Sequence, residues 1–122
     1  MKPIFIQEVK KSQMPYDTVG NFFMEEGILY IEVAKQKGYV EDDIDLQGVA
    51  FHEFCEVLLC KQAGITIKEI DKWDLAHQDT DIEPGEIKGC PYFYQHAFAN
   101  KLEIMFVKEL LKNKKLCLKK KK

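Results

Sequence analysis

The chain contains no arginine: all 18 basic residues among its 122 are lysine. That removes the planar fork which reads carboxylates and phosphates in bidentate fashion. The four cysteines, Cys55, Cys60, Cys90 and Cys117, form no CxxC pair. Cys55 and Cys60 fall in an apolar stretch, where cysteine behaves as a small hydrophobe. No apolar run approaches the roughly 20 residues of a membrane helix. No apolar h-region follows Met1-Lys2-Pro3, so neither a span nor a secretory leader is expected. Free thiols then imply a reducing cytoplasm. No internal repeat is present, and the only low-complexity segment is the run of terminal lysines. Histidine is scarce as well, at 3 residues.

What is there is unevenly charged. The net charge is -2, but residues 114–122 hold six lysines, which leaves twelve against 20 acids in the body. An acidic body argues against a nucleic-acid-binding core. Only the lysine tail offers nucleic acid or an anionic surface a contact, and a terminal segment of this kind is expected to be disordered. The length predicts one domain, residues 1–113, followed by the tail at 114–122.

Residues 3–9 read as a short strand. Residues 18–24 and 28–33 flank Glu25-Glu26-Gly27 and predict a β-hairpin. Gly20 inside the first of these strands marks a bulge or a close backbone approach. Four acids at Glu41, Asp42, Asp43 and Asp45 open a helix that runs from about Ile44 to Gln62, with Gly64 as its cap. Thr66 and Glu69 fit a capping box for a second, shorter helix ending near His77. The polar stretch 78–91 reads as a long loop. A long helix opened by Pro91 follows and reaches about Leu111. Trp73, Tyr92 and Tyr94 read as core anchors.

The chemistry concentrates in the first helix, within Gly48-Val49-Ala50-Phe51-His52-Glu53-Phe54-Cys55-Glu56-Val57-Leu58-Leu59-Cys60. Apart from His52, Glu53 and Glu56, every residue there is apolar or small, which predicts burial on most sides. Buried ionisable groups need a partner or a metal. His52 and Glu56, four apart, lie on one helix face. The pattern is H-E-x-x-E, one residue away from the H-E-x-x-H of zinc peptidases. His52 and Glu56 are candidate ligands of Zn²⁺ or another divalent metal, and Glu53 is the candidate general base. The simpler reading is a buried His52–Glu56 hydrogen bond with Glu53 at the rim. A third ligand is needed for a catalytic zinc. His96 ranks first, on a helix stripe with Asn100 and Glu103. Asp74, His77 and Glu103 are alternates, and Asp71 stays open. Glu103 also suits the orientation of a ligating imidazole.

Taken together, the chain resembles a group of small proteins of bacteriophages and prophages that are distantly similar to minimal zinc-peptidase (zincin) domains. The likeness is carried by Thr18-Val19-Gly20-Asn21, the hairpin and His52-Glu53-x-x-Glu56. It continues through Leu59-Cys60, Gly64-Ile65, Ile70-Asp71-x-x-Asp74 and Pro84-Gly85. It ends with Pro91-Tyr92-x-x-x-His96-x-Phe98-Ala99 and Glu103. These points span residues 17 to 110. The resemblance implies a zincin-like α+β fold. A hairpin or small antiparallel sheet would pack on the H-E-x-x-E helix, a short helix and a long C-terminal helix. It implies a metal site and, for a phage product, the cytoplasm of the host cell. Glu56 in place of the second histidine adds negative charge, which weakens Lewis acidity.

Two functions of different class follow. One is a metal-dependent hydrolase of peptide or amide bonds, resembling zinc metallopeptidases. The other is a non-catalytic interaction protein with a structural or vestigial metal site. That protein would bind a peptide or host protein through the acidic loop 79–86 and the lysine tail.

Overall fold

A computed structural model describes residues 2–121. Met1 and Lys122, the first residue of the expected domain and the last of the expected tail, lie outside the described residues. The architecture is α+β: a three-stranded sheet and three helices. The strands are β1 (Ile4–Glu8), β2 (Gly20–Glu25) and β3 (Ile28–Val33). The helices are α1 (Asp42–Gln62), α2 (Ile67–Ala76) and α3 (Phe93–Lys120). Short 3-10 turns occupy Lys11–Gln13 and Pro84–Glu86.

β2 and β3 form the expected hairpin, with Glu25 opposite Ile28 across a two-residue Glu26-Gly27 turn. Both turn residues have positive φ, the geometry that matches strand twist in tight hairpins. β1 joins on the far side of β3 and runs parallel to it, Ile4 opposite Leu29 and Glu8 opposite Val33. The sheet is therefore mixed, in the order β1-β3-β2. Along β3 the side chains alternate, and Leu29, Ile31 and Val33 point into the core.

The inner face of the sheet, α1 and α2 enclose a core built on Phe22, Ile31, Val49, Val57, Cys60 and Ile70. α1 starts two residues earlier than the sequence suggests, because Asp42, Asp43 and Asp45 favour its N-terminus electrostatically. It ends as predicted: Gly64 takes φ +75, and Ile65 N–H bonds Cys60 O at 2.9 Å. α2 carries the predicted capping box. Thr66 Oγ1 accepts from Glu69 N–H at 3.1 Å, and Thr66 N–H donates back to Glu69 Oε1 at 3.3 Å.

Three expectations change. α1 and α3 are less enclosed than their composition suggests, since Leu58, Phe98 and Met105 are exposed. The three-stranded sheet packs against α1, and α3 packs on α1 rather than on the sheet. Tyr94 is 74% exposed and anchors nothing in the core. Residues 114–120, expected as a disordered tail, continue α3 as its last exposed turns. Leucine and lysine are good helix formers, propagation from an existing helix is cheap, and lysines suit a helix C-terminus. Lys114 Nζ also meets Glu41 Oε2 at 2.7 Å. No described helix is long and apolar enough to cross a membrane.

Candidate metal centre

His52 and Glu56 rise from α1 one turn apart, as the i, i+4 spacing requires, and both are buried. His52 Nε2 lies 2.9 Å from Glu56 Oε2. The first turn of α3 brings buried His96 to the same oxygen, with Nδ1 at 2.8 Å. The two imidazoles meet edge to face, ring centroids 4.9 Å apart. One ligand atom from each of His52, Glu56 and His96 fits within a mutual span of 4.8 Å.

The outer ring nitrogens face carboxylates too. Glu103 Oε1 stands 3.0 Å from His52 Nδ1, and Glu83 Oε2 stands 3.3 Å from His96 Nε2. Neither is aligned for a directed hydrogen bond, so both buried nitrogens keep unspent bonding capacity. The result is an alternating row: Glu103, His52, Glu56, His96, Glu83. Burial alone would lower the pKa of His52, but the Glu103 and Glu56 carboxylates outweigh it and push it up to about 10. For His96, Glu56 and Glu83 outweigh burial in the same way, to about 9. Burial would raise Glu56, yet its two histidine neighbours hold it below the usual carboxylate range.

Glu53 lies on the adjoining face of α1, half-buried against β2. Burial and then the Glu56 charge push its pKa up to about 8 against the opposing pull of His52 and His96. It fits there because residue 20 is glycine: a Cβ at that position would collide with the Glu53 carboxylate. The pairing of β2 with β3 is continuous from Gly20, so the expected special role of this glycine is close approach, not a bulge. Gly85 does the same for His96, since a Cβ there would fall 2.5 Å from the ring.

The alternates separate clearly. Glu103 is in the row described above. Asp74 lines the same cavity but is committed to tyrosines: Tyr16 O–H donates to Oδ2 at 2.7 Å and Tyr92 O–H donates to Oδ1. Burial raises the Asp74 pKa more than these bonds lower it. Asp71 is also on the cavity wall. His77 is not in the site: it stacks on Trp73 at 3.8 Å between ring centroids, and its Nδ1 lies 2.8 Å from Trp73 O. It follows the last residue of α2, where its local partner is one turn back. Glu83 and Tyr16 carry no periodic signal and were not among the expected site residues. Tyr92 was read as a core anchor only. A carboxylate next to the Pro84-Gly85 turn was the one visible hint of Glu83. A second group, Glu83, Glu86 and His96, also has metal-ligand spacing, with both glutamates exposed.

The donor set suits zinc: two imidazole nitrogens and a carboxylate, with carboxylates behind both rings. The two close-approach glycines leave room for Glu53 and His96 beside this donor set. The site opens on a cavity of about 560 Å³.

The fold and site thus define an α+β protein with a buried His–Glu–His cluster at the wall of an open cavity. Comparison of the chain with protein-family models, with curated proteins and with solved structures finds no match.

Proposed function

We propose that this is a zincin-like metal-binding protein acting as a metal-dependent hydrolase of peptide or amide bonds. The observation that carries the reading is the convergence of His52, Glu56 and His96 beside Glu53 in one open cavity. His52, Glu56 and His96 would hold a divalent metal, with zinc the first candidate. A divalent metal there supplies Lewis acidity and lowers the pKa of water. Glu103 and Glu83 face the outer nitrogens of the two imidazoles at 3.0 and 3.3 Å, placed to accept their N–H groups when the inner nitrogens hold a metal. Glu53 lines the same cavity beside the cluster, placed to take a proton from a water held there. A purely structural metal would favour a closed site; the cavity that reaches Glu53 supports the hydrolase over the non-catalytic interaction protein. The buried thiols of Cys60 and Cys90 are unpaired, which fits a reducing cytoplasm.

The test is metal analysis of protein purified without a histidine tag. One equivalent of metal is expected on the full chain after zinc is added back and excess removed, and no retention would sink the reading. Glu53→Gln should keep the metal and lose hydrolysis, whereas His52→Ala should lose both.

A further inference from the structure

Nine of the chain's 20 acidic residues line the cavity at the His–Glu–His cluster, but among the described lysines only Lys11 does. That lysine is already paired with Asp17 at 3.2 Å. Asp17, Asp45, Asp71, Asp74 and Asp81 contribute to the wall outside the alternating row. Asp45 accepts the backbone N–H groups of Val40 and Glu41, each at 3.1 Å, and Asp74 accepts its two tyrosines. Among the described residues no lysine forms an ion pair with Asp71 or Asp81. The acids alone would describe only a charged surface. Here they surround a cavity that also carries two histidines more than nine-tenths buried, each with a ring nitrogen lacking a directed partner.

We propose that this cavity selects positively charged ligands, specifically lysine- or arginine-bearing peptide segments, and presents them to the His52–Glu56–His96 centre. What is then done to the peptide rests on the hydrolase reading above; the selection does not. A bound divalent cation and Lys11 supply three positive charges between them. The nine carboxylates outnumber these even if Glu53, Asp71 and Asp74, the three whose affinity for protons burial raises, are all neutral. Walls of low dielectric focus the remaining field into the opening, which concentrates cations there and repels anions. Phosphorylated and acidic peptides are rejected by the same field, because the chain has no arginine and, among the described residues, no unpaired lysine lines the cavity to receive them.

The test uses the full chain, loaded with zinc, and three unlabelled heptapeptides of one scaffold with Lys, Ala or Glu at the same three positions. Calorimetric binding should favour the Lys peptide over the Ala peptide by about tenfold or more, with no binding of the Glu peptide. Raising the salt should collapse the difference. Asp81→Asn, at an exposed position, and Asp71→Asn should each weaken the Lys peptide several-fold without changing zinc content. If Asp71→Asn fails to fold, Asp81→Asn and the salt series still decide. Equal affinity for the three peptides, preference for Glu, or no binding of any would overturn the proposal. Tight binding of the Lys peptide without cleavage supports the selection and counts against the hydrolase. Equal cleavage of all three supports the hydrolase and overturns the selection.

Discussion

His96 Nδ1 lies 2.8 Å from Glu56 Oε2, although 40 positions separate the two residues in sequence. The contact joins α3 to α1 at the one point where both helices carry buried ionisable groups. It places Glu56 between two imidazoles, since His52 Nε2 approaches the same oxygen at 2.9 Å.

Glu56→Gln removes the shared negative charge while keeping the shape. Zinc affinity should fall by more than the ~10–100-fold typical of losing an outer partner. Glu83→Gln and Glu103→Gln should fall within that range. Competition with a chromogenic chelator measures all three, and an equal effect of Glu56→Gln and Glu83→Gln would contradict the assignment of ligand and support.

The two close-approach glycines should separate the roles of Glu53 and His96. Gly20→Ala pushes against the Glu53 carboxylate, so hydrolysis should drop while zinc content stays near one equivalent. Gly85→Ala pushes against the His96 ring, so zinc itself should be lost. Each should also cost about 1–3 kcal/mol of stability from overpacking, read by denaturant titration.

The metal-free chain should lose stability as the pH rises. His52 and His96 are raised from 6.5 to about 10 and about 9, so the folded state holds these protons more tightly than the unfolded chain. Their contribution is complete below about pH 6.5 and fades as the pH passes 9 and then 10. Glu53, raised from 4.5 to about 8, acts in the same sense: its folded-state advantage fades as the pH rises between those values. Glu56, held low, contributes above about pH 4.5 and loses that contribution as the pH falls. The metal-free Tm should therefore peak near about pH 4.5 and decline toward pH 9. Zinc requires unprotonated imidazoles, so its affinity should rise over the same interval with proton release. A flat metal-free profile between pH 6.5 and 9 would remove the basis for both statements.

Tyr16→Phe and Tyr92→Phe each withdraw a donor from buried Asp74. The expected cost is about 1–3 kcal/mol, larger for Tyr92, the more deeply buried of the two. Equilibrium unfolding measures it, and the double variant should cost less than the sum, since both hydroxyls serve one carboxylate.

His77→Ala should leave zinc content unchanged, because this side chain stacks on Trp73 outside the cavity. Loss of metal in this variant would return His77 to the site.

Local physics made much of the fold legible. The alternation in β3, the capping box at Thr66 and Glu69, and Gly64 after α1 are decided by residues within a few positions of one another. The same is true of His52 above Glu56, which one helical turn dictates. The partners across the cavity are not local. Nothing near Glu83 in the chain says that it will meet His96, and nothing near Asp74 says that Tyr16 and Tyr92 will both donate to it. β1 could have paired on either side of the hairpin, and only packing put it parallel to β3.

The opposite errors at His77 and at the tail have related causes. His77 has the right chemistry for a ligand, but its ring found a nearer apolar surface in Trp73. Residues 114–120 have the composition of a solvated end, yet an established helix extends through them at little cost. By itself the sequence determined that three ionisable groups would share an apolar helix and that two of them would share a face. Only the tertiary structure decided which groups would answer them. Burial makes unpaired charge costly, and the residues that relieve that cost need only be near in space.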